Sequence, residues 1–210
     1  MDRSALKQLI EQLVRSHLEE QKGLIPIGVS NRHLHITKED FSKLFPGEEI
    51  EVFKWLEQTG EFAAKQTVTM VGKKGEIRKV RILGPFREAT QIEISKTDGR
   101  VLGIEAPIRM SGDVANSPGV VLQTPKGSVT LNQGVIIAKR HIHMPTSLAE
   151  AFGVVHGEIV SVEILSQERG LILHEVVVRV ADSFSLELHI DTDEANAGNV
   201  TLDTMARIVK

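Results

Sequence analysis

The sequence predicts a mainly β protein made of two related halves, and three observations point there. From Leu24 onward the chain is cut into short apolar alternations, turn residues punctuate them, and one histidine phrase is written twice. Runs of about four to eight alternating residues between Gly, Pro, Asn and Asp indicate many short strands, hence a sandwich or a barrel with few, short helices.

The 210 residues, 41% hydrophobic and 25% charged, suit a globular chain with one large core or two small ones. A formal net charge of -3 gives no general basic field, so the expectation is no nucleic acid partner and small anions as ligands. No apolar run approaches the ~18 residues of a membrane span, and no basic-then-apolar leader opens the chain. A cytoplasmic protein with no membrane partner is expected. Cysteine is absent, which removes disulfides, thiolate ligands and a thiol nucleophile together. Any metal must then be bound through nitrogen and oxygen.

Taken in order, residues 1-22 carry Leu6, Leu9, Ile10, Leu13 and Leu18 at helical spacing, with Lys7, Glu11, Gln12 and Arg15 between them and Gly23 after them. This predicts an N-terminal amphipathic helix, either packed on the body or across a dimer, or serving as a docking or encapsulation segment. Next comes Arg32-His33-Leu34-His35-Ile36. Residues two apart on a strand share a face, so the phrase aims two imidazoles at one point. Thr37-Lys38-Glu39-Asp40 then opens a short helix with a capping-box pattern, running through Phe41, Leu44 and Phe45 towards a strand near Val52.

Residues 67-71 and 80-83 alternate as strands, and Gly84-Pro85-Phe86-Arg87 places an arginine just before Gln91-Ile92-Glu93-Ile94. A planar guanidinium suits two parallel hydrogen bonds to phosphate. Arg109-Met110-Ser111-Gly112-Asp113, followed by Ser117-Pro118-Gly119, is a loop of small polar residues that lets a ligand approach the backbone.

The second copy is Arg140-His141-Ile142-His143-Met144, again followed by a capping-box pattern, Ser147-Leu148-Ala149-Glu150, and by strands at 157-162 and 175-180. Glu187-Leu188-His189-Ile190-Asp191 then echoes Gln91-Ile92-Glu93-Ile94-Ser95 and puts His189 where the first half has Glu93. Carboxylate and imidazole are interchangeable as zinc ligands and dissimilar as packing residues. The halves therefore read as two versions of one small metal-binding barrel. His33, His35 and Glu93 are assigned to one ion, and His141, His143 and His189 to the other. Three ligands per ion leave an open coordination position, the mark of a catalytic site. His17, His156 and His174 read as non-ligands, while Asp113, Asp191 and Asp193 are candidates to orient the histidines.

These strings, together with Val29-Ser30-Asn31 and Gly84-Pro85-Phe86-Arg87-Glu88-Ala89-Thr90, resemble the PduL-type phosphate acyltransferases, also called phosphate propanoyltransferases. The resemblance runs from about Ile25 to the C-terminus. It implies two similar β-barrels with short capping helices, two zinc ions in the cleft between them, and a dimer. It also implies that the first strand completes the barrel of the C-terminal half, so that the domains are 24-31 plus 139-208 and 32-138. Zinc ligands fall on His33, His35, Glu93, His141, His143 and His189, and the phosphate-contacting arginine on Arg87. Microcompartment members carry an N-terminal extension that directs encapsulation, which residues 1-22 resemble.

The activity so implied is transfer of an acyl group from propanoyl-CoA or acetyl-CoA to phosphate, by direct attack of a zinc-held phosphate on the thioester. Coenzyme A is then the product. The competing expectations are a dinuclear zinc hydrolase using the same ligands on water, and a non-catalytic microcompartment-associated protein.

Overall fold

The computed structural model describes residues 23–209, so the helix expected over residues 1-22 lies outside the described residues. Two sheets organise what is described. In the first, β1 (Leu24–Ser30), β11 (His141–Met144), β12 (Ile159–Ile164), β13 (Leu171–Val180), β14 (Glu187–Asp191) and β15 (Met205–Val209) close a barrel in the order β1-β14-β11-β13-β12-β15. The second contains β2 (His33–His35), β3 (Val52–Trp55), β4 (Phe62–Val71), β5 (Glu76–Gly84), β6 (Gln91–Glu93), β7 (Ile108–Arg109), β8 (Val121–Gln123), β9 (Ser128–Thr130) and β10 (Val135–Ala138). Its order is β7-β10-β6-β2-β5-β4-β8-β9, with β3 paired to β4, and it stays open.

The expected pair of barrels is thus one closed barrel and one half-barrel. The difference has a local cause. β15 pairs with β12 on one side and reaches β1 on the other, which closes the ring. β8 takes the matching place beside β4, but it is three residues long and turns back as β9.

The duplication is visible in detail. The histidine strand β2 lies parallel to β5 and antiparallel to β6, as β11 lies parallel to β13 and antiparallel to β14. Both β5 and β13 carry a bulge opposite their hairpin partners, with Lys79 (φ 58) and Glu175 (φ 57) in left-handed backbone. The leading strands are exchanged. β1 sits in the barrel parallel to β14, yet it leads into β2 of the open sheet, whereas β10 sits parallel to β6 and leads into β11 of the barrel.

Among the described residues four short helices cap the sheets. α1 (Lys38–Leu44) starts at Thr37, whose hydroxyl accepts from the Asp40 N–H at 3.0 Å. α2 (Lys96–Leu102) and α4 (Thr192–Ala197) each carry a full capping box, Ser95 with Asp98 and Asp191 with Glu194. α3 (Thr146–Phe152) departs from expectation: its N-cap is Pro145, with no side-chain hydrogen bond, and Ser147 already lies inside the helix. Proline's fixed φ starts the turn before Ser147 can cap it.

Alternation along the histidine strands sends Leu34 and Ile142 into separate cores. Leu34 packs with Ile36, Ile82 and Ile92, and Ile142 with Ile25, Val178 and Leu188, all fully buried. Among the described residues no helix is long and apolar enough to cross a membrane.

Candidate metal centre

Strand register brings the donors together. His33 stands directly across from Glu93 and His141 directly across from His189, so each pair shares a face. His35 and His143, two residues along, join that same face. Within each group, His33-His35-Glu93 and His141-His143-His189, the donor atoms lie within 4.8 Å of one another. Both groups open into a single cleft of about 570 Å³ lined from both sheets.

The ring contacts define which nitrogens are available. His33 and His141 each place Nδ1 2.8 Å from a backbone carbonyl two residues earlier, that of Asn31 or Lys139, which turns Nε2 towards the group. His35 Nδ1, His143 Nδ1 and His189 Nε2 are buried without a hydrogen-bond partner. Glu187 Oε2 lies 3.0 Å from His189 Nε2 without the alignment of a hydrogen bond. Orphaned buried nitrogens converging with a buried carboxylate are a donor set that suits zinc.

The electrostatics agree. Burial, then the neighbouring His33, pushes His35 down to about 3. Burial and His189 push His141 down to about 4, and the same two causes with His141 push His143 down to about 2. These imidazoles are neutral near pH 7, the form that binds metal. Burial alone would raise the Glu93 carboxyl, but attraction to the neighbouring imidazoles and the Ser111 hydroxyl outweigh it and hold it below its ordinary value.

Arg87 reaches the same cleft. It lies 3.2 Å from Glu61 Oε1 and donates to Ser111 Oγ at 3.4 Å. The small-residue loop closes this corner: Gln91 Nε2 donates to Glu93 Oε1 at 2.7 Å and to Ser111 Oγ at 2.9 Å, while Gln91 Oε1 accepts the Gly112 N–H at 2.7 Å.

Comparison with known proteins now decides the family. A family model described as phosphate propanoyltransferase matches residues 26–201. The chain belongs to the phosphate propanoyltransferase family. It is 51% identical over 210 residues to the phosphate propanoyltransferase of Levilactobacillus brevis, which covers all of both chains. It is 53% identical to that of Escherichia fergusonii and 50% identical to that of Salmonella typhimurium, each over 192 residues and 91% of both chains.

Within this cleft stand residues that spacing did not reveal. Arg179, across from His143 in the β11–β13 register, comes within 3.4 Å of His143 Nε2 and stacks over Phe184 at 5.4 Å. Burial and the like charge of Arg87 lower its guanidinium from the ordinary value, so the two arginines feel each other across the cleft. Gln58 bridges the sheets, donating to Glu187 Oε2 at 3.2 Å and accepting the Ser185 N–H at 3.2 Å. A Cβ at Gly28 would meet Glu187 Oε1 at 2.5 Å, so a larger residue there would displace that carboxylate. Arg179 is placed by the β11–β13 register and has no counterpart opposite His35, where Leu83 stands; like Gln58 and Glu61 it carries no local signal.

Other sequence candidates lie elsewhere. Asp113 pairs with Arg109, Asp191 caps α4 and Asp193 accepts the Thr97 N–H, so none of the three touches a histidine. The Asn31 and Lys139 carbonyls hold His33 and His141 instead, and Gln91 holds Glu93. His156 and His174 are exposed and bond to Val180 and Ser161. His17 lies outside the described residues.

Proposed function

We propose that this chain is a zinc-dependent phosphate acyltransferase that converts propanoyl-CoA or acetyl-CoA and phosphate to the acyl phosphate and coenzyme A. One observation carries it: two buried three-donor groups and two arginines face a single cleft in a member of the phosphate propanoyltransferase family. His33, His35 and Glu93 would hold one zinc ion and His141, His143 and His189 the other. Zinc bound there supplies Lewis acidity that neutralises phosphate charge and polarises a carbonyl.

The chain's own groups set the geometry. Arg87 and Arg179 approach phosphate from opposite sheets, and exchange of the Glu61 contact for phosphate frees the Arg87 fork for two parallel hydrogen bonds. Ser111, held by Gln91, keeps that fork aimed. A phosphate oxygen attacks the thioester carbon, the carbon–sulfur bond breaks, and its electron pair leaves with sulfur. The proton shed by phosphate makes the free thiol. No enzyme nucleophile is required, consistent with the lack of cysteine.

The decisive assay follows thiol release from acyl-CoA of graded length, with and without phosphate and a chelator. Release that needs both phosphate and metal is expected; release without phosphate indicates a zinc hydrolase and overturns the proposal. We extend the proposal to a homodimer, to domains of 24-31 plus 139-208 and 32-138, and to a site in the cytoplasm or within a microcompartment. Sheet membership supports the domain division.

A further inference from the structure

Each histidine phrase begins with an arginine that the proposed chemistry leaves unused. Arg32 and Arg140 stand where the chain crosses between sheets, from β1 to β2 and from β10 to β11. Each reaches the helix that follows the strand of the third donor: Arg32 Nε lies 3.3 Å from Asp98 Oδ1, and Arg140 Nε lies 2.9 Å from Glu194 Oε1.

The two acids are matched. Both occupy the third position of their helix, and both divide the carboxylate in the same way. The second oxygen of Asp98 accepts the Ser95 N–H at 3.3 Å, and that of Glu194 accepts the Asp191 N–H at 3.0 Å. One oxygen thus caps a helix while the other faces an arginine. Ser95 and Asp191 follow Glu93 and His189 by two residues, and those donors pair in register with His33 and His141. The links close a ring in each half, from arginine through first donor, third donor and helix cap back to arginine. Thr97 N–H donates to Asp193 Oδ2 at 2.8 Å and joins the two rings.

We propose that Arg32 and Arg140 are positioning residues, each fixing the first and third donors of its own group in one register through the capping carboxylate of the next helix. The inference rests on the metal reading of the two groups. Solvated ion pairs contribute little, but the Asp98 and Glu194 side chains are only 8% and 20% exposed, and loss of the arginine leaves a carboxylate without its counter-charge. The strand ladders remain, so the effect falls on donor alignment more than on folding.

Zinc affinity measured by competition with a chromophoric chelator tests this on the full chain. Arg140→Gln is expected to weaken one of two zinc ions by roughly 10- to 100-fold and spare the other, and Arg32→Gln to do the same for the opposite site. Glu194→Gln keeps the cap acceptor, so it should reproduce Arg140→Gln, and the double variant should be no weaker than either. The melting temperature of each chelated variant should stay near that of the chelated parent. Two ions at parental affinity in both variants, or equal loss of both ions in either, would overturn the inference. A parent chain that binds no zinc would remove the metal reading and this inference with it.

Discussion

Arg87 is where the choice between phosphate and water becomes measurable. Its two partners, Glu61 and Ser111, hold it at the cleft and are not themselves among the proposed metal donors. Arg87→Ala should therefore keep both zinc ions and raise the phosphate KM by roughly 10- to 100-fold, the loss of one charge-assisted contact of about 1.5–3 kcal/mol. Unchanged phosphate saturation would refute the assignment. His35→Ala or His141→Ala should instead remove metal and turnover together, checked by zinc analysis. The depressed imidazoles also set a pH response of the chelated protein. Below the unfolded value of 6.5 the unfolded chain takes up protons that folded His35, His141 and His143, at about 3, 4 and 2, refuse. Stability is complete above pH 6.5 and lost as pH falls from there towards those values; a melting temperature flat from pH 7 to 5 would contradict it. The two groups of three proposed donors were legible in the sequence because the repeat aligns them; Glu61 and Gln58 arrive through tertiary approach, which leaves no periodic trace.

At the scale of elements, the histidine strands serve two surfaces at once. Leu34 is fully buried, opposite the face that presents His33 and His35. Leu34→Ala should cost about 2–5 kcal/mol in urea unfolding of the chelated protein, because β2 is hydrogen-bonded on both sides and has little room to collapse. A cost below 1 kcal/mol would place Leu34 outside the core. The sequence made strand–helix–turn–strand readable twice, and Thr37 caps its helix, although the Thr37 N–H goes to Thr90 Oγ1 and so the box with Asp40 is not closed. It misled at Ser147, where Pro145 settles the helix start first. Closure of one sheet and not the other was also hidden, since it depends on how far β8 and β15 extend beyond the repeat.

For the whole molecule, the cleft is lined, among the described residues, from Gly28 onward. Residues 1-22 carry the proposed encapsulation: fused to a fluorescent reporter in a compartment-forming cell they should give puncta, and diffuse signal would argue against it. The exchange of β1 and β10 has a different consequence. Each half takes the strand that precedes the other half's histidine phrase, so a lone half would lack the parallel neighbour of its third-donor strand. Two copies of such a half could complete each other only by trading leading strands. A single half would thus pair with a second copy as a strand-swapped homodimer, and joining two such copies end to end would yield the present exchange of leading strands.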